Sequence, residues 1–173
     1  MVNGDLAAPP ATAEPDVYVR LIADLHASGC RYRVIEHAPE GRTAMVSALR
    51  GHPLAQAAKC LILLVKIGKK QTRYVLTVVP GDARLDLAAV KALLGASYVA
   101  FADTGKAEQL AGSVVGTVLP FSYNDRLELI ADPALLDCDE LYFNAGRLDC
   151  SVALASRDYL RLAGPRIARI IAT

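Results

Sequence analysis

Three stretches of the chain put polar or reactive groups where a plain core would not have them. In Gln56-Ala-Ala-Lys59-Cys-Leu-Ile-Leu-Leu-Val a lysine stands at the mouth of an apolar run. A buried ammonium is costly without a partner, and an amine held there can orient a carbonyl, a phosphate or a ribose hydroxyl. The plainer alternative is a lysine whose stem covers a strand end while its head stays in water. In Gly112-Ser-Val-Val-Gly116-Thr117-Val118-Leu119-Pro120-Phe121, glycine at 116 lets the backbone approach a ligand and the proline sets a turn. Free N–H groups there could hold a carbonyl or an oxyanion, although a strand with an ordinary bend has the same composition. The third stretch is Tyr142-Phe-Asn144-Ala-Gly146-Arg-Leu-Asp149-Cys-Ser151. Asn144 and Ser151 are neutral, so they could read a hydroxyl or an amine but would be poor bases; an ordinary hairpin loop is the alternative.

Other catalytic patterns are missing. The chain has no Gly-x-Ser-x-Gly elbow, no phosphate loop ending in Gly-Lys and no His-Glu-x-x-His. Of the three histidines, His26 and His52 read as surface residues, and His37 in Glu36-His37-Ala-Pro39 is the one placed near a site. Cys30, Cys60, Cys138 and Cys150 are widely spaced with no Cys-x-x-Cys pair, which argues against structural zinc and favours small buried thiols. No metal and no cofactor is expected.

Nineteen Lys and Arg against eighteen Asp and Glu leave a net charge of +1, so no long phosphate-neutralising surface is expected. Any nucleic-acid contact should be local, with Lys69, Lys70, Arg73 and Arg147 as candidates and a solvated turn as the alternative for the lysine pair. The apolar run at 60–65 is interrupted by Lys66, far short of the roughly 20 residues a membrane helix needs. The first sixteen residues carry acids and prolines rather than a basic segment leading into an apolar one, which predicts no secretory signal and a cytoplasmic location.

The elements that must position these residues follow from period and punctuation. Residues 1–14, rich in Ala and Pro, predict a disordered tail, and 15–173 predict one domain. Asp16 can cap a helix carrying Val17, Leu21 and Leu25 that ends near Gly29. A strand at 32–35, a helix from Thr43 to about residue 49 closed by Gly51, and a short helix at 54–58 come next. Runs at 60–67 and 73–79 around a polar turn predict a hairpin of buried strands. A helix over 85–94, a strand over 98–102 and a helix over 106–110 capped by Asp103 or Thr104 follow. Short β-rich runs at 114–118, 127–130, 140–143 and 151–154, a helix over 157–162 and helical turns over 166–171 complete the reading. Alternation of strands and helices early, with strands clustered late, argues for an α/β (α+β) domain built on a mixed, partly barrel-like sheet flanked by helices.

The order and spacing of the three stretches, taken with the histidine-proline loop, resemble the YbaK-like, or prolyl-tRNA-editing-like, domain. The resemblance rests on Tyr32-Arg-Val-Ile-Glu-His37-Ala-Pro39, Ala58-Lys59-Cys-Leu, Gly116-Thr-Val-Leu-Pro120-Phe121 and Phe143-Asn144-Ala-Gly146, and it covers about residues 16–172. It implies a YbaK-like fold and a free-standing deacylase that hydrolyses the ester of mischarged aminoacyl-tRNA. By motif match, Lys59 anchors the aminoacyl-adenosine end, and the backbone from Gly116 through Thr117, Val118, Leu119 and Pro120 to Phe121 holds the carbonyl or the terminal adenosine. Water attacks, often helped by the ribose hydroxyl of the substrate, which suits a sequence without a triad. His37, Asn144, Gly146 and Ser151 complete the implied substrate contacts. Relatives active on Cys-tRNA or Ala-tRNA carry Asp or His in the late turn, where this chain has Ser151, with Asn144 at the earlier Ser-like position; Phe121-Ser122 after the proline and Asn144-Ala-Gly146 resemble the branch that clears Ser, Thr or similarly small residues such as Ala. Implied partners are the acceptor end of transfer RNA and a synthetase. The alternative is a non-catalytic module binding a nucleotide, a transfer-RNA end or a synthetase in the same pocket, and a third reading is a protein-binding scaffold.

Overall fold

The two strands buried on both faces organise the molecule, and their sequence shows why. In the computed structural model, which describes residues 16–173, β2 (Ala58–Ile67) and β3 (Gln71–Pro80) form an antiparallel hairpin paired along its whole length, from Ala58 opposite Pro80 to Ile67 opposite Gln71. Side chains alternate along a strand. Ala58, Ile62, Leu76 and Val78 therefore enter one apolar cluster while Leu63, Val65, Val75 and Val79 enter another on the opposite face. A strand covered on both faces has no polar side to show, which accounts for the unbroken apolar run.

The hairpin is the centre of a five-stranded sheet in the order β4-β2-β3-β5-β8, where β4 is Tyr98–Phe101, β5 is Leu127–Ala131 and β8 is Arg166–Ile167. β5 runs parallel to β3 and β8 parallel to β5, so the sheet is mixed. A second, antiparallel sheet has the order β1-β7-β6, with β1 Tyr32–Glu36, β7 Cys150–Ala155 and β6 Glu140–Arg147. The α+β architecture matches the expectation, with its strands divided between two open sheets. α1 (Val17–Ala27) packs on β6 and its neighbours through Leu21 and Leu25, which are fully buried. α3 (Leu87–Leu94) covers the far face of the large sheet through Val90. α2 (Thr43–Arg50), α4 (Thr104–Ala111) and α5 (Ser156–Ala163) complete the helices.

Local signals set the helix ends. Asp16, Asp86 and Asp103 each accept a first-turn N–H, as N-caps do, and Gly51, Gly95 and Gly112 close α2, α3 and α4. Two expected elements are different. The run at 114–118 is a turn rather than a strand: the Thr117 N–H donates to the Val114 carbonyl at 3.0 Å, and Val114 and Val115 are exposed. The end of the chain is extended where helical turns were expected, because its amides find lateral acceptors. Ala168 donates to the Ala131 carbonyl, and Ile170 and Ile171 donate to one carboxylate oxygen of Asp132 at 2.7 and 3.2 Å. This course puts Ile170 fully in the core. The expected tail over 1–14 lies outside the described residues.

Asp132 is 1% exposed, and its other oxygen accepts the Ala134 N–H. Asp132→Ala would strip three amides of their acceptor, so a loss of about 2 kcal/mol of unfolding free energy is expected. Faster hydrogen exchange at the Ile170 amide would accompany it. A urea midpoint shift corresponding to less than about 0.5 kcal/mol would rule out this role for the carboxylate.

Candidate active site

The two sheets meet where β2 begins. Ala57 forms a parallel bridge with Tyr142 of β6, which brings the first residues of β2 beside Phe143 and Asn144. A pocket of about 220 Å³ opens at this seam. Its walls include Lys59 and Cys60 from β2, Thr43 and Arg50 from α2, Gly116 from the turn after α4, and Asn144 from β6.

Lys59 pairs in register with Val79, and its ammonium donates to the Ala83 carbonyl at 2.5 Å in the turn that follows β3. Burial lowers its pKa from the ordinary lysine value, with Asp82 opposing the shift. One of three ammonium hydrogens is used on Ala83, which leaves two for a ligand. Cys60 contributes a thiol that burial pushes well above the ordinary range, so it is no thiolate at neutral pH.

Gly116 comes into place through a second glycine. A Cβ at 116 would lie 2.8 Å from the Cα of Gly41, so the turn after α4 and the loop before α2 touch backbone to backbone. Asn144 locks the same contact: its Nδ2 donates to the Glu40 carbonyl at 2.9 Å and to the Gly116 carbonyl at 2.8 Å. Its Oδ1 accepts the Ser151 hydroxyl at 2.9 Å. Ser151 Oγ also lies 2.7 Å from His37 Nε2 and accepts from Arg50 Nη1 at 3.1 Å. Three partners are what a serine oxygen can hold.

The structure thus brings Lys59, Gly116, Val118 and Asn144 to the pocket wall, with His37 and Ser151 joined behind Asn144. Other expected contacts point elsewhere. Leu119 and Phe121 belong to the core, where the Phe121 ring meets Phe143 and Tyr159 edge to face. Pro120 is buried, and Thr117 turns its hydroxyl to the Val114 carbonyl at 2.7 Å. Gly146 packs against α1, where a Cβ would stand 2.7 Å from Val17 Cγ2.

Sequence reasoning passed over Arg50 and read His52 as a surface residue, whereas His52 is half-buried beside it. Arg50 Nε donates to His52 Nε2 at 2.9 Å, His52 Nδ1 donates to the Pro53 carbonyl at 2.8 Å, and the His52 ring stacks on Tyr142 at 3.8 Å between centroids. An arginine in a last helical turn is common and complements the helix dipole, so nothing local marked it.

Accepting from Arg50 requires a neutral His52, and burial and the adjacent guanidinium lower its pKa from 6.5. The folded state therefore binds this proton less tightly than the unfolded chain. The stability tied to neutral His52 is complete above about pH 6.5 and is lost as pH falls through the lower folded value. His52→Gln keeps an acceptor without a titration, so the wild type is expected to lose more stability than the variant between pH 7.5 and pH 5. Parallel denaturation midpoints across that range would count against the coupling.

The fold is shared with solved structures. The crystal structure of a hypothetical protein superposes with a TM-score of 0.78 at 26% identity, covering 90% of this chain and 99% of that one. That of a candidate trans-editing enzyme for prolyl-tRNA synthetase does so with a TM-score of 0.75 at 24% identity, over 93% and 100%. The family model of the aminoacyl-tRNA editing domain matches residues 37–162, and the chain belongs to that family. Among its relatives is the multifunctional Ser/Thr-tRNA deacylase ProXp-y of Escherichia coli (strain K12), 40% identical over 149 residues, or 86% of this chain and 89% of the relative.

Proposed function

We propose that this editing-family protein is a trans-acting deacylase that hydrolyses the ester joining serine or threonine, and more slowly alanine, to the 3′ end of transfer RNA. The observation that carries this reading is a small pocket walled by one lysine and a glycine backbone. At about 220 Å³ it falls below the roughly 300–1,000 Å³ of pockets for drug-sized ligands, which suits a small aminoacyl group. The 40% identity to a Ser/Thr-tRNA deacylase supports the choice of amino acid.

In this mechanism Lys59 turns its two remaining N–H donors to the ribose end or the ester carbonyl. The Gly116 N–H, which no other backbone group engages, stabilises the developing oxyanion. With Cys60 held as a neutral thiol, water is the attacking group and the ribose hydroxyl of the substrate assists it. An activated ester needs less barrier reduction than an amide, so positioning and oxyanion stabilisation can suffice. Asn144, Ser151 and His37 then act by holding the two loops together, since their polar atoms are already engaged.

With a net charge of +1 the chain offers no long track for RNA. Contact is limited to the acceptor end, with a synthetase presenting the RNA, in the cytoplasm where charged transfer RNA is used. No helix among the described residues is long and apolar enough to cross a membrane. The test is deacylation of Ser-, Thr-, Ala-, Cys- and Pro-charged transfer RNA by the purified protein. Ser and Thr are expected to clear first; equal rates on all five would overturn the specificity, and no turnover on any would leave the binding module in its place.

A further inference from the structure

Arg50 carries an unmatched charge on the wall of the pocket. Its guanidinium is half-buried, and each of its three protein hydrogen bonds goes to a neutral group: His52 Nε2 at 2.9 Å, Ser151 Oγ at 3.1 Å and Ser47 Oγ at 3.5 Å. Every ion pair among the described residues joins other side chains. The pocket wall has two cations, Arg50 and Lys59, and no carboxylate. Burial alone draws the Arg50 pKa down to about 10, the direction expected of a cation that lacks a counter-charge. Such a group is expensive to keep unless something supplies the missing anion. The stacked His52 and the buried Ser151 also hold the guanidinium in one orientation, so little ordering is left to do when an anion arrives.

Resting on the deacylase reading, we propose that Arg50 is a phosphate-binding residue whose partner is the 5′-phosphate of the terminal adenosine. Five N–H groups on a guanidinium, three of them used, leave two for phosphate oxygens. The aminoacyl ester itself has no anionic group, so the terminal phosphodiester is the first anion the pocket can meet. Arg50 then sets how deep the acceptor end sits, and Lys59 is left free for the ester.

The experiment compares wild type and Arg50→Gln on three esters: seryl-tRNA, 3′-O-seryl-AMP and 3′-O-seryl-adenosine, which lacks the phosphate. Wild type is expected to favour seryl-AMP over seryl-adenosine by on the order of 10- to 100-fold in kcat/KM, mostly in KM, as befits a charge-assisted hydrogen bond. Arg50→Gln should erase that preference, with a loss on seryl-adenosine at least about 10-fold smaller than the loss on seryl-AMP. A merely structural arginine would lower all three esters together, and that result would overturn the proposal, as would a preference that survives in the variant. Titration calorimetry of AMP against adenosine on wild type needs neither turnover nor a variant that folds. Equal affinity for the two would also overturn the phosphate site, whereas tighter AMP binding without turnover on any ester would sink the deacylase reading alone.

Discussion

Lys59→Ala is expected to lower single-turnover deacylation of seryl-tRNA by on the order of 100- to 1,000-fold, the range for removing one preorganised donor from a developing negative charge. The fold should stay. Lys59 is only half-buried, and its one hydrogen bond is to the Ala83 carbonyl at the surface of a turn, so circular dichroism and the thermal midpoint should change little. The pH profile adds a second readout. In the proposed mechanism catalysis needs the ammonium, whose pKa is lowered by burial. The alkaline limb of kcat/KM, after subtraction of uncatalysed ester hydrolysis, should therefore fall at a pH below the 10.5 of a free lysine. Lys59→Arg should push that limb beyond the accessible range. Undiminished turnover in Lys59→Ala would remove the lysine from the mechanism.

Gly116→Ala is expected to cost about 3 kcal/mol of stability and on the order of 100-fold in activity, and the two losses have one origin. Gly116 has φ of +89°, which an L side chain adopts at a cost, and its new Cβ would press on the Gly41 Cα at 2.8 Å and the Gly41 carbonyl oxygen at 3.1 Å. Both are backbone atoms and cannot swing away, so the loops must part. Parting them breaks the Asn144 bonds to Glu40 and Gly116 and moves the amide proposed to meet the oxyanion. Gly164→Ala is the control. It has φ of +56° with nothing within 4 Å of a new Cβ, so only the backbone cost of about 1 kcal/mol should appear, with activity unchanged. Equal effects of the two substitutions in urea melts and deacylation assays would exclude the glycine-on-glycine contact as the cause.

Asn144 and Ser151 have hydrogen-bond partners that letters on a line do not report. Read as neutral groups in a late turn, they looked suited to recognising a substrate hydroxyl. In space they face each other across the β6–β7 ladder and spend their hydrogen bonds on loop carbonyls, on Arg50 and on His37. The number of partners open to a side chain is a three-dimensional quantity.

What the sequence by itself determined is what local physics encodes. Asp16 and Asp103 cap their helices, Gly51 and Gly95 end theirs, and the apolar run after Lys59 marks a doubly buried strand, because capping and period act within a few residues. The motif order was also enough to indicate the family to which the chain belongs. Only the tertiary structure decided that 166–171 runs extended, since its acceptors on β5 and Asp132 lie some 35 to 40 residues away in the chain. It alone set Gly116 on Gly41 and Arg50 on Ser151. Those contacts span roughly 75 and 100 residues, and no local preference reports a pairing whose chain-closure entropy is repaid only once both sheets have formed.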